Sequence, residues 1–238
     1  MITIFDLGPS NHPQTKTLGV SPFVRTVIFI LRYKKLDYEI KPIFDIAKVA
    51  QEVGASPTLT TPTPKYTVPF IKDSTTGKVV SDSTAIAEYL DTTYPETPSV
   101  VPGGSRLLHK ILQSNLMSIA TPLNHNSIQP FLINTTLPKE IREIINFPNA
   151  TPEQVSEAFK QVKETFETFN GNLNRGESYR GFVMGGDKPT FGDFSVVAIV
   201  YPVRFIYGEE SEQWKDVKSW AGGWVGWEVD QILKVVAP

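Results

Sequence analysis

The sequence contains no cysteine among its 238 residues. Disulfides, cysteine nucleophiles and cysteine-ligated metals are thereby excluded. A chain without a thiol also cannot form the mixed disulfide that thiol–disulfide exchange requires. An excess of one charge is missing too, with 25 acidic residues against 23 basic ones. No basic run interleaves with aromatics, so no nucleic-acid partner is expected. Histidine is scarce: His12, His109 and His125 stand far apart and lack metal-ligand spacing, so no metal is expected either. No apolar run approaches the length of a membrane span, and Met1-Ile2-Thr3-Ile4-Phe5-Asp6 lacks the charged flank of a signal peptide. The expectation is a soluble, cytoplasmic protein without a membrane partner. There is no internal repeat and no low-complexity tract.

What is present divides the chain in two. Ile2-Thr3-Ile4-Phe5 is short and β-branched and reads as a first strand. A polar loop from Gly8 to about Val20 follows, long for a compact domain. Ser21 fits a helix N-cap and Pro22 the first helical position. Val24, Val27, Ile28 and Leu31 then hold one helical face, and Lys34 and Lys35 suit its C-terminus. Tyr38 to Ile43 alternates as a second strand, parallel to the first through a right-handed crossover. Asp45 to Val53 is weakly helical, and Ser56 to Pro64 is a Thr/Pro-rich connector. Phe70-Ile71-Lys72 and Lys78-Val79-Val80 flank a turn and read as a hairpin. A helix from Ser83 stops near Tyr94, before Pro95 and Pro98. That order gives an α/β half with a mixed four-stranded sheet over residues 1–95.

Residues 96–104 are rich in Pro and Gly and read as a linker, and residues 105–238 as an all-helical half. Leu107 to Ile119 is helical in pattern, with Pro122 and Pro130 bending or ending it. Thr151-Pro152-Glu153-Gln154 is a capping box, followed by an apolar face from Val155 to Leu173. Thr190-Phe191-Gly192-Asp193 is a second capping box. The helix behind it, Phe194 to Ile206, is apolar nearly all round and should be central. Glu209 to Val236 carries all four tryptophans and closes the fold with one or two helices.

Two motifs carry chemistry. Val68-Pro69 opens the third strand and is a candidate cis bond. Such a bond turns the N–H and C=O of Val68 outward, where a ligand's backbone can pair as an added strand. Ser81-Asp82-Ser83-Thr84 begins a helix, which is an anion site. Singly these are a turn proline and a helix cap. Together, in this order and spacing, they suit a small peptide with a free carboxylate, of which glutathione is one.

On these residues the chain resembles the cytosolic glutathione transferases over nearly its whole length. Val68-Pro69 matches the family's cis-proline, whose preceding residue pairs with the cysteinyl backbone of glutathione. Asp82-Ser83 matches its acidic residue and serine for the γ-glutamyl amine and carboxylate. Thr190-x-x-Asp193 is similar to its structural capping box on a buried helix, and Ser21 stands where serine-type members face the thiol. The runs Ser21-Pro22-Phe23-Val24-Arg25 and Lys34 to Glu39 are similar to the fungal etherase-related (FuA-type) class, itself like the bacterial β-etherases. The resemblance implies a thioredoxin-like half with a mixed four-stranded sheet, an all-α half and a homodimer. It implies glutathione as co-substrate, attacking hydrophobic aromatics, isothiocyanates or hydroperoxides, with a groove for wood-derived phenolics. The alternative is a ligandin-type protein that sequesters plant aromatics with little turnover. A scaffold that has lost glutathione is disfavoured by the intact Val68-Pro69 and Asp82-Ser83 pairs.

Each assignment has a plainer rival. Ser21 either donates to the thiolate or merely caps its own helix, and Asn11, Thr17 or Val20 are other donors within reach of the same loop. Asp82 is either a ligand for the amine or a helix cap. Lys65 and Lys48 are candidates for the glycine carboxylate, or simply solvated. Arg25 is expected on the outer face of its helix. Met117, Thr121, Pro122, Asn124 and the long loop after Asp6 are placed by topology as lining of the acceptor pocket between the halves.

Overall fold

A computed structural model describes residues 1–8, 13–59, 62–123, 150–172 and 179–237. The central strand is β1 (Ile2–Leu7), buried along most of its length. It pairs in parallel with β2 (Tyr38–Ile43) and antiparallel with β3 (Phe70–Asp73), which pairs antiparallel with β4 (Val79–Ser81). The sheet order is β2-β1-β3-β4, a mixed four-stranded sheet. The loop expected between Gly8 and Val20 contains a short helix, α1 (Pro13–Leu18). Its apolar content, Leu18 alone, is too small for periodicity to reveal it.

The crossover helix α2 (Pro22–Tyr33) buries Val24, Val27, Ile28 and Leu31 as its spacing predicts. It also buries Arg25, Thr26, Phe29 and Ile30, because a second layer covers its other side. Arg25 is therefore not on an outer face: it is 1% exposed, and its Nη1 donates to the carbonyl of Ala198 at 2.6 Å. α3 (Ile46–Val53) is capped by Asp45, whose carboxylate accepts the Lys48 N–H at 3.0 Å. The connector after it pairs briefly, Leu59 bridging Lys65. The β3–β4 hairpin is pinned by Asp73, which accepts the hydroxyls of Tyr89 at 2.7 Å and Tyr94 at 2.6 Å. Burial and this carboxylate push the Tyr94 hydroxyl up to about 12.

α4 (Ser83–Thr93) is followed by the connection to the helical remainder. Asp91 organises that connection, accepting the Ser99 hydroxyl and the N–H groups of Val100 and Val101. It also pairs with the buried Lys34 at 2.6 Å. α5 (Arg106–Leu123) covers the expected helix and ends one residue past Pro122, while Pro130 lies outside the described residues. The proline falls in the last turn, where one missing N–H bond does little damage. The capping box at Thr151 forms, Gln154 Oε1 accepting the Thr151 N–H at 2.8 Å, and opens α6 (Pro152–Asn172). α7 (Phe191–Tyr207) starts behind the Thr190–Asp193 box and is buried through most of its length. α8 (Glu212–Ser219) and α9 (Trp224–Val235) close the fold, with Trp214, Trp220 and Trp224 buried in the helical core. The architecture is a thioredoxin-like sheet half joined to helices, with α7 packed against α2. Among the described residues no helix is long and apolar enough to cross a membrane.

Candidate functional site

Strand register brings three chain segments to one end of the sheet. Phe5 pairs with Phe70, and Phe70 with Ser81. The end of β1, the entry to β3 and the end of β4 therefore lie side by side. The Ser21 loop follows β1, Val68-Pro69 precedes β3, and Asp82-Ser83 follows β4. The Val68–Pro69 peptide is cis. The Asp82 N–H donates to the Pro69 carbonyl at 3.3 Å, tying two of the segments together.

Ser21 occupies the N-cap of α2, with extended backbone and Pro22 behind it. Its hydroxyl makes no cap hydrogen bond. The helix-capping role that competes for this side chain is thus not taken up. Its backbone is held from β1: Asp6 accepts the N–H groups of Leu7 at 2.8 Å, Val20 at 2.5 Å and Ser21 at 3.2 Å. Asp6 is 2% exposed, and burial pushes its carboxyl up to about 6 against the lowering pull of those N–H groups and of Arg25. Arg25 Nη2 donates to the carbonyls of Gly19 at 3.0 Å and Val20 at 3.3 Å. Burial lowers the Arg25 guanidinium to about 10. Gly19 has φ +74°, and a Cβ there would lie 2.8 Å from Asp6 Oδ2, so this turn requires glycine. Of the other donors considered, Thr17 gives its hydroxyl to the Gln14 carbonyl, Val20 gives its N–H to Asp6, and Asn11 lies outside the described residues.

Asp82 caps α4 through Oδ1, which accepts the N–H groups of Thr84 at 3.1 Å and Ala85 at 3.0 Å. Its backbone sits at φ +78°, a strained region for a residue with a side chain. Ser83 is buried, and its hydroxyl accepts from Gln113 Nε2 of α5 at 2.5 Å. Gln113 Oε1 accepts the Thr84 hydroxyl at 2.7 Å. The side chain of Ser83 thus faces the helical half, while its backbone N–H stands in the first turn of α4. Gln113 was beyond sequence reasoning: a lone glutamine on a helix gives no signal until the tertiary contact is known.

Lys65 and Lys48 are both exposed. Lys65 is fixed at its backbone by Leu59 and Thr58, four residues before Pro69. A narrow cleft beside Ser21 is lined by Pro22, Phe23 and Thr26 of α2, Gln113 and Leu116 of α5 and Ile199 of α7. Thr121 is exposed and does not line it. The side chain of Met117 and the whole of Asn124 lie outside the described residues. Among the described residues no group of three or more His, Asp or Glu side chains is placed to hold a metal.

Comparison with known proteins adds to this geometry. Residues 17–98 match the family described as glutathione S-transferase, N-terminal domain, and residues 105–234 the one described as glutathione S-transferase, C-terminal domain. No curated protein matches the chain. Among solved structures, the chain is similar to the glutathione S-transferase CsGST63524 of Ceriporiopsis subvermispora, crystallised with glutathione. The two are 27% identical over 98% of this chain and 97% of that one, with a TM-score of 0.83. It is also similar to the glutathione transferase GSTFuA2 of Phanerochaete chrysosporium, at 27% identity, 98% and 97% coverage and a TM-score of 0.80. The β-etherase LigF of a Sphingobium strain, at 17% identity, 98% and 94% coverage and a TM-score of 0.58, shares the fold alone.

Proposed function

The chain belongs to the glutathione S-transferase family, and from that premise we propose that it binds glutathione along the end of its sheet and activates the thiol through Ser21. The observation that carries this is the convergence of the Ser21 loop, the cis Val68–Pro69 bond and the Asp82–Ser83 helix start at one sheet end. In this reading the cysteinyl backbone of glutathione pairs with the N–H and C=O of Val68. The γ-glutamyl carboxylate meets the first-turn N–H of Ser83, and the second oxygen of Asp82 receives the α-amine. Lys65 reaches for the glycine carboxylate.

A free thiol has a pKa of about 8.5, and the thiolate is the nucleophile. A hydrogen bond to a charged group contributes about 1.5–3 kcal/mol, and a helix N-terminus up to about 1 kcal/mol. At about 1.4 kcal/mol per pKa unit, Ser21 and α2 together lower the thiol by one to about three units. The electrophile, an activated aromatic or isothiocyanate, approaches the thiolate from between the two halves. For a hydroperoxide, the thiolate attacks one oxygen and expels the alcohol. The glutathione sulfenic acid so formed is resolved by a second glutathione, because the chain offers no thiol of its own. The similarity to GSTFuA2 supports the etherase-related serine class, and a groove for wood-derived phenolics is the ligand site that this reading adds. Exposed Leu107, Leu108 and Ile111 on α5 offer an apolar face for the homodimer that the family suggests.

The test follows thiolate absorbance of bound glutathione across pH in wild type and Ser21→Ala, a signal free of protein thiols. The expected result is ionisation below the free value in wild type and a rise of about one to two units in the variant. An unshifted thiol in wild type would move the protein to the ligandin reading. Asp82→Ala should weaken glutathione about tenfold or more, equivalent to about 1.4 kcal/mol. Unchanged affinity in that variant would remove the γ-glutamyl assignment.

A further inference from the structure

We propose that Asp6 is a positioning residue for thiol activation, gripping the Gly19–Ser21 loop from β1 while Arg25 grips it from α2. The proposal rests on the reading of the Ser21 loop given above. The N–H groups of Leu7, Val20 and Ser21 all point at the Asp6 carboxylate, within 3.2 Å. The carbonyls of Gly19 and Val20 point the other way, to Arg25 Nη2. N–H and C=O groups of one tight loop are thus held from opposite sides by two side chains almost without exposure. No solvent can replace either grip. Arg25 Nη1 reaches on to the Ala198 carbonyl, so the loop that presents Ser21 is also tied to α7 of the helical half.

The arrangement needs the carboxylate, and not merely a side chain of that size. Both oxygens of Asp6 accept: Oδ1 from Leu7 and Ser21, Oδ2 from Val20. Protonation, or replacement by an amide, sets a donor against one of those N–H groups. The charge facing Asp6 is Arg25, which Tyr201 of α7 faces in turn. From the flanking strands, Pro42 opposes Asp6 on β2, Lys41 lies over the Phe5 ring, and the entry to β3, Val68-Pro69, is uncharged. The Asp6 carboxyl, lifted by burial to about 6, becomes protonated under mildly acidic conditions. Thiol activation is then lost on acidification through two ionisations, that of the bound thiol and that of Asp6.

The experiment compares wild type, Ser21→Ala, Asp6→Asn and Arg25→Lys by thiolate absorbance of bound glutathione and by the pH profile of kcat/KM with a chlorodinitrobenzene. Wild type should show an acid limb steeper than a single ionisation. Asp6→Asn should reduce the limb to one ionisation and cut the thiolate fraction at pH 6.5 several-fold. Glutathione Kd should change less than threefold, since in this reading the peptide is held by Val68, Asp82 and Ser83 and not by Asp6. An Asp6→Asn protein whose bound thiol ionises as in wild type overturns the proposal. So does a single-ionisation limb in wild type, which needs no variant to fold. Arg25→Lys, which keeps the charge but loses the fork, should show a smaller thiolate loss; none at all overturns the role given to Arg25. If Ser21→Ala shifts the thiol and Asp6→Asn does not, the Ser21 reading stands and this inference falls. If Asp6→Asn shifts it and Ser21→Ala does not, the hydroxyl assignment falls and the loop-positioning role of Asp6 remains.

Discussion

His109 on α5 is fully buried, edge-on to Phe191 at 5.9 Å, and neither ring nitrogen has a hydrogen-bond partner among the described residues. Burial holds its pKa below the ordinary histidine value, with the more distant Asp193 and Asp91 pulling weakly the other way. The folded state therefore favours the neutral ring. That contribution is full above the unfolded pKa, about 6.5, and is lost as pH falls through it toward the lower folded value. His109→Phe should lessen the loss of stability between pH 7 and pH 5, measured by urea midpoints at each pH; an unchanged slope would count against it. Lys34 poses the opposite case, a buried cation with its acid in place at 2.6 Å. Hydrogen bonds from Lys34 and the Val100 and Val101 N–H groups hold Asp91 below the usual carboxylate range in spite of burial. Its stabilisation is present above the unfolded pKa and fades as pH drops through the folded one. Lys34→Met should cost about 1–3 kcal/mol at neutral pH in a urea titration, since Asp91 loses its counter-charge but keeps its bonds from Ser99, Val100 and Val101. Residue identities such as these were legible in the sequence, but their partners were not. Lys34 read as a lysine at a helix C-terminus, and Arg25 as an outward one, because periodicity along one helix cannot show a second helix covering it.

Elements are more fully legible in the sequence than contacts are. The strands, the hairpin, α2, α4, α6 and α7 all follow from alternation, helical spacing and capping residues. The unexpected helix has a physical reason: α1 is too short and too polar to show a period. The start of α7 is set by Asp193, whose Oδ2 accepts both the N–H and the hydroxyl of Thr190 while Oδ1 accepts the Val183 N–H. Asp193→Ala removes three hydrogen bonds in a buried site and should cost at least the upper end of an ordinary cap, about 2 kcal/mol. Thr190→Ala, which loses one of the three, should cost less. α8 and α9 meet through Gly226, where a Cβ would lie 2.7 Å from the Lys218 carbonyl oxygen. The neighbour is backbone and cannot swing aside, so Gly226→Ala should destabilise by about 1–3 kcal/mol in a urea titration. A neutral result would show that α9 can shift against α8.

Across the whole molecule, the candidate site is legible as an order of motifs and not as a set of contacts. Val68-Pro69, Asp82-Ser83 and Ser21 announce themselves by local chemistry. Asp6, Arg25 and Gln113 act only through partners distant in the chain, and nothing in their sequence neighbourhoods marks them. Those partners also stitch the halves together. Arg25 reaches Ala198, Gln113 holds Ser83 and Thr84, and the Phe191 N–H donates to the Val100 carbonyl. The halves should therefore unfold as one, with coincident urea transitions by far-ultraviolet circular dichroism and by fluorescence. Two separated transitions would show that these ties are weaker than each half's own core. The fluorescence in that comparison has a particular origin. All four indoles lie at or beyond position 214, and the sheet half has none. Indole emission thus reports on one half alone, while glutathione is proposed to settle on the other. Any change in indole brightness or colour on adding glutathione must have travelled through these ties, which makes that emission an optical gauge of how tightly the two halves are geared.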